Sequence, residues 1–232
     1  MDGTLTHEND DANVFIGTGT AYHPSMEIDL HPLGDAHFDA AFALATEVFV
    51  ARSVLHRALD VGLAEYRRYL APSFAAMIAE GLSVVAVERR TGAVVGCLVA
   101  GDYRTPPVAC EAPPRLAPLG ALMADLRRRY ECRRGPAPGE AMLVDMAAVA
   151  GGATGHGLYR RMREAVHERG RKSGFRMVIG EATSTATQHV LLNRLGHRRM
   201  AEIPFREFTH EGAHPFAAIV DPPSIVLAEG DL

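Results

Sequence analysis

The sequence predicts a mixed α/β (α+β) fold, a sheet flanked by helices, and three observations carry that expectation. Leu82-Ser-Val-Val-Ala-Val87 and Ala93-Val-Val-Gly-Cys-Leu-Val99 are β-branched runs joined by the turn chemistry of Arg90-Thr-Gly92, which reads as a hairpin. Leu143-Val-Asp-Met-Ala-Ala-Val149 is an apolar strand that passes through the glycine-rich turn 150–157 into a helical stretch opening at Leu158. A further apolar run over 175–180 follows that helix, and strand–helix–strand is the order of a mixed sheet.

The elements follow in order. Residues 1–25 are polar and rich in Gly and Thr, so they read as a flexible N-terminal arm. The remainder, 26–232, reads as one domain, with a first strand over 26–30. Phe38, Phe42, Ala45 and Phe49 recur at helical spacing after Asp35, a candidate N-cap. A second helical region spans 58–80, with a break expected near Pro72. The segment 102–139 is Pro-rich and then helical from about 119. It is too short for a core of its own and reads as an insertion between strands. After the 175–180 strand, 183–195 is helical and stops at Gly196 in the C′ position. Strands are expected over 197–209 and 224–228.

Bulk properties exclude several classes. With 232 residues, 47% hydrophobic and 22% charged, the chain has an ordinary globular composition. A net charge of −4 gives no footing for a general nucleic-acid binder, and no apolar run approaches a membrane span. Cys97, Cys110 and Cys132 are widely spaced, and the eleven histidines show no ligand pattern. No metal site and no disulfide framework are expected, and the cytoplasm is the expected location.

Two features carry chemistry. The turn at 150–157 and the helix after it place free N–H groups and a helix dipole where an anion can sit. Asp145 is a lone carboxylate on an otherwise apolar strand, either a base or a structural group bonded to nearby backbone or an arginine. Arg160, Arg161 and Arg163 on the following helix either balance phosphates or form a solvated face. Cys97 reads as core.

Together these residues resemble the GNAT superfamily of acyl-CoA-dependent N-acyltransferases. There a central strand ends in Val-x-Pro-x-x-Arg-Gly-x-Gly and a later helix ends in Gly-Phe. Val149, Gly155 and Gly157, then Leu195-Gly196-His197, are the matching residues, and the resemblance covers about 26–210. Within the superfamily the chain is most similar to the arylalkylamine and dopamine N-acetyltransferases. The run 47–55, the hairpin with Thr91-Gly92, the insertion after it and Glu181-Ala-Thr-Ser-Thr-Ala-Thr187 carry that similarity. The departures are Gly151 for proline, Thr154 for arginine, Tyr159 for a small residue and His197 for an aromatic. Leu192 stands where a tyrosine acid is common, and Ser53 where a carboxylate is common.

The resemblance implies a mostly antiparallel sheet with a splayed central strand and acetyl-CoA as cosubstrate. Met146, Ala147, Ala148 and Val149 would then pair with pantetheine. Thr154, Gly155, His156, Gly157 and Leu158 would hold the pyrophosphate. Asp145 becomes the base, and Thr187 a hydroxyl donor to the leaving sulfur; Thr183 and Ser184 are read as caps. Glu47, Arg52 and Ser53 are placed at the acceptor pocket. The expected reaction is direct attack by a small amine in a ternary complex, by a monomer or homodimer. The alternatives are an acyl-CoA-binding protein without turnover and a protein or peptide N-acetyltransferase.

Overall fold

The computed structural model describes residues 26–105, 108, 112–154 and 157–232. A seven-stranded sheet is built from β1 (Ile28–Pro32), β2 (Val84–Glu88), β3 (Val94–Asp102), β4 (Ala141–Val149), β5 (Met177–Ala182), β6 (Arg198–Pro204) and β7 (Ser224–Asp231). Their spatial order is β1-β2-β3-β4-β5-β7-β6. Every neighbouring pair is antiparallel except β4 with β5. The parallel pair is the one joined by a helix, as a crossover requires. This is the mixed, mostly antiparallel sheet expected from the sequence.

Helices α1 (Phe38–Arg52), α2 (Val54–Ala58), α3 (Leu63–Ala79), α4 (Ala117–Glu131), α5 (Leu158–Lys172) and α6 (Thr185–His189) flank it. Strand alternation sorts the core onto the two faces. Ala41, Phe74, Val85, Cys97 and Met146 form the core under α1 and α3. Leu122, Leu126, Leu143, Ile179 and Leu227 form the core under α4. On the opposite face Met142, Val144, Leu158, Met162 and Val178 pack under α5. Gly96 lets α5 lie close: a Cβ there would stand 3.2 Å from the Met162 sulfur.

Three sequence expectations are corrected. Pro72 does not break α3, which runs through it and buries Tyr66, Leu70, Phe74 and Ile78 on one face. That continuous apolar stripe outweighs one lost backbone hydrogen bond. Asp35 lies inside a short 3₁₀ turn, Asp35–His37, and caps no helix with its side chain. The strand expected over 197–209 ends at Pro204. The chain then folds back to bury Phe205, Phe208 and Phe216 against the α4 core. The helix stop expected at Gly196 is found there, with φ +66°, after α6 continues into a π-helical turn at Val190–Arg194.

The expected arm, 1–25, lies outside the described residues.

Candidate active site

β4 is where the sheet opens. Its ladder with β3 runs from Met142 to Val149, whereas its pairing with β5 stops at Val144↔Gly180. Beyond that point β5 pairs only with β7, through Glu181 and Ala182. The edge of β4 from Asp145 to Val149 therefore faces a gap instead of a strand. A bulge coincides with the start of the gap: Ala100 pairs with Val144 and Val99 with Met146, which leaves Asp145 as the extra residue.

A cavity of about 710 Å³ fills this region. On one side of the sheet it reaches Phe49, Ser53, His56, Tyr66 and Tyr69 from α1–α3. It also reaches Gly120, Met123, Ala124, Arg127 and Glu131 along one face of α4. Through the gap it reaches Tyr159 and Arg163 on α5, Gly180 on β5, and Thr183, Thr187 and Leu191 beyond it.

Asp145 lines this cavity, and 29% of its side chain is accessible. Its Oδ1 stands 3.9 Å from Arg127 Nη2. Arg127 spends its fork on Glu181, donating from Nε at 2.7 Å and from Nη2 at 3.0 Å. Only 2% of the Glu181 side chain is exposed. Burial pushes the Asp145 carboxyl up to about 6, Arg127 opposes that rise, and Glu181 adds to it. The result is a carboxylate that is ionised at neutral pH yet basic enough to accept a proton.

His56 is the other titratable group at this end. It is buried edge-on between Phe49 and Tyr66, and neither ring nitrogen has a hydrogen-bond partner among the described residues. Burial pushes it down to about 4, so it is neutral and a much weaker base than Asp145.

The sequence-derived residues divide clearly. Asp145, Met146, Ala147, Ser53 and Thr187 line the cavity. Ala148 and Val149 have buried side chains, so only their backbone edge faces the gap. Leu158 is core beneath α5. Gly157 caps α5 at φ +61°, a conformation that favours glycine, and beyond its chain neighbours no atom of the described residues lies within 4 Å of where its Cβ would be. Thr154 turns its hydroxyl back onto the Gly151 carbonyl at 2.9 Å. Gly155 and His156 lie outside the described residues. Ser184 caps α6, accepting from the Thr187 N–H at 3.1 Å, and its hydroxyl also meets Thr187 Oγ1 at 2.8 Å.

Glu47 and Arg52 are not among the cavity-lining residues. The Glu47 side chain is 58% exposed and is held by Arg67 at 2.8 Å. On α5, Arg160 pairs with Glu164 at 3.8 Å in solvent, and Arg161 donates to the Ile28 carbonyl at 2.8 Å. Arg163 alone of the three is buried.

Sequence reasoning missed Arg127, Glu181 and His56 as site residues, and it named Arg163 only together with Arg160 and Arg161, as phosphate partners or a solvated face. For Arg127 a signal exists: Gly120, Met123, Ala124, Arg127 and Glu131 share one helical face. Among the described residues no group of three His, Cys, Asp or Glu stands ready to hold a metal ion. No helix there is long and apolar enough to cross a membrane.

No protein-family model matches the chain, and no curated protein matches it. Solved structures do match. The C-terminal condensation domain of Ebony, solved with β-alanyl-dopamine, superposes with a TM-score of 0.82 at 16% identity, covering 90% of this chain and 100% of that one. Arylalkylamine N-acetyltransferase 2 from Aedes aegypti gives 0.70 at 16% identity, covering 88% and 98%. The GNAT superfamily phosphinothricin acetyltransferase from Sinorhizobium meliloti, solved with AcCoA, gives 0.54 at 17% identity, covering 89% of each. The chain has the GNAT fold.

Proposed function

We propose that this protein is an acyl-CoA-dependent N-acyltransferase, an acetyltransferase in its simplest form, acting on a small primary amine. The observation that carries the reading is the opening of β4 from β5 at the bulged, cavity-facing Asp145. The unpaired edge from Met146 to Val149 fits the amide groups of a pantetheine arm. The open space at Gly157 and the N-terminus of α5 fit its diphosphate.

In this reading the thioester carbonyl lies against backbone N–H groups of β4, which polarise it for attack. The acceptor nitrogen must be neutral to react. Asp145 takes its proton, directly or through one water, as the C–N bond forms and the C–S bond breaks. The Thr187 hydroxyl donates toward the departing sulfur. His56 is too weak a base at about 4 to replace Asp145, and it serves as a wall of the acceptor pocket.

Aromatic character on the acceptor side favours an arylalkylamine. Phe49, Tyr66 and Tyr69 line the cavity there, and the Ebony domain, of the same fold, was solved in complex with β-alanyl-dopamine. A second reading, an acyl-CoA-binding protein without turnover, draws on Thr154, whose hydroxyl is committed to Gly151 where an arginine would supply charge.

The test is thiol release from acetyl-CoA with aryl amines, polyamines, hydrazines and amino acids as acceptors. Release with an amine supports the enzyme, and Asp145→Asn is expected to lower turnover far more than acetyl-CoA affinity. Tight acetyl-CoA binding with no release against the whole panel sinks the enzymatic reading in favour of the second.

A further inference from the structure

Arg163 is a charge without a counterpart. It is 2% exposed, on the face of α5 turned toward the sheet. Its Nε donates to the Tyr159 hydroxyl at 3.1 Å, and its Nη1 has no hydrogen-bond partner among the described residues. Among the described residues no carboxylate lies within ion-pair distance of it. The neighbouring acids are taken: Glu181 is forked by Arg127, and Glu229 is bonded by Tyr130 and Arg198.

Burying a guanidinium with an idle N–H carries a heavy desolvation cost, and an arginine does not escape it by losing its proton. The surroundings register the charge. His167 and His197, stacked 6.1 Å apart, are pushed down to about 3 and about 4, mainly by burial and then by Arg163.

The position of this cation is specific. Gly180 is the last β5 residue paired with β4, so it marks the crotch of the opening. A Cβ at Gly180 would stand 3.1 Å from Arg163 Nη2 and 2.9 Å from Leu191 Cδ1. The absence of that Cβ leaves the guanidinium at the crotch, lining the same cavity as Asp145 and Thr187. A donor lying along β4 brings its acyl group to that end of the gap.

We propose that the donor's acyl group carries a terminal carboxylate, which Arg163 receives: a hemithioester of a short dicarboxylic acid, of the succinyl or malonyl type. This rests on the acyltransferase reading above. The distal carboxylate is a spectator in the chemistry. The amine nitrogen bonds to the thioester carbon, and the C–S bond breaks. Asp145 accepts the ammonium proton and later gives it to solvent, and the leaving thiolate takes a proton from the Thr187 hydroxyl, which recovers one from solvent. The product is an amide that keeps a free carboxylate. An acyl chain ending in an ammonium group meets like charge at the same point and is rejected. Tyr159 fits the arrangement, since its hydroxyl holds the Arg163 fork and its ring lies 5.8 Å from the guanidinium carbon.

The experiment is calorimetric titration of the full chain with acetyl-, butyryl-, succinyl- and malonyl-CoA. Succinyl and butyryl chains match in length and differ in the carboxylate. Succinyl- or malonyl-CoA is expected to bind about tenfold to a hundredfold tighter than butyryl-CoA, the range of a buried charge-assisted hydrogen bond. Arg163→Met is expected to erase that ratio, and Arg163→Lys to keep part of it. Without ligand, Arg163→Met is expected to melt at a higher temperature than the wild type, which a purely structural arginine would not allow. Equal binding of succinyl- and butyryl-CoA, or a ratio unchanged in both variants, overturns the proposal while acetyl-CoA binding leaves the acyltransferase reading standing. Failure of all four esters to bind overturns both.

Discussion

Replacing Asp145 by asparagine tests the electrostatics of the cavity through stability as well as rate. Burial holds the carboxyl at about 6 against 3.8 for the free side chain, with Arg127 opposing and Glu181 reinforcing the shift. A shift of about 2 units corresponds to about 3 kcal/mol of preference for the neutral form. Between pH 3.8 and about 6 the folded protein keeps a proton that the unfolded chain has lost, so this group's contribution falls as pH rises. Above about 6 the whole cost is in place. Asparagine is isosteric and never ionises. Asp145→Asn should therefore be more stable than wild type by up to about 3 kcal/mol near pH 8, with the gain vanishing below about pH 4. Urea unfolding followed by circular dichroism across that range measures it. A variant less stable than wild type at pH 8, or an offset independent of pH, would refute the reasoning. The same ionisation should appear as an acid limb near pH 6 in kcat/KM.

Arg127→Met strips the fork from the nearly inaccessible Glu181 and should cost about 3–5 kcal/mol in denaturant unfolding. It should also move the acid limb of kcat/KM upward, because Arg127 holds the Asp145 pKa down. His56 and His197 are pushed down to about 4 and His167 to about 3, chiefly by burial, from an ordinary value of 6.5. The unfolded chain takes up these protons first, so their contribution to stability should fall as pH drops from 6.5 toward 4. The slope for three protons is at most about 4.1 kcal/mol per pH unit, read from urea midpoints of Asp145→Asn, which lacks the opposing carboxylate. Gly230→Ala drives a methyl group into the His197 ring, and a loss of about 1–3 kcal/mol in thermal unfolding is expected. Gly157→Ala imposes a left-handed conformation on a residue with a Cβ. A cost of about 1 kcal/mol in urea unfolding checks that.

The sheet was legible because its strands are apolar runs bounded by glycine and proline, and the hairpin and the β4–α5–β5 crossover carry their own turn signals. Asp145 stood out for the same reason: one carboxylate interrupts a strand of seven residues that are otherwise apolar. Arg127 did not. It sits in the run Arg127-Arg-Arg129, and only helical phase separates the arginine that forks Glu181 from the two more exposed ones beside it. Arg163 was hidden by composition, because a charged residue on an amphipathic helix is usually solvated. Yet it falls in phase with the buried Tyr159, Met162, Val166 and Gly170. Pro72 misled because propensity is local, whereas the Tyr66-to-Ile78 stripe that holds α3 together is a tertiary fact. The strand expected over 197–209 misled for a related reason. Apolar residues after Pro204 serve a folded-back loop as readily as a ladder.

The bulge at Asp145 has a consequence for how freely β4 can change. One surplus residue makes Asp145 and Met146 point to the same side, so the strand carries two opposite parities on either side of it. Leu143 is odd-numbered and Met146 even-numbered, yet both serve the face covered by α1, α3 and α4. Deleting Asp145 would therefore leave both cores undisturbed: Val144 stays opposite Ala100, Met146 stays opposite Val99, and the ladder becomes regular. Deleting a residue elsewhere in the strand would instead turn the positions beyond it to the wrong face. The carboxylate thus rides on the one residue of β4 that the sheet can spare, and the cavity, not the core, is what its presence serves.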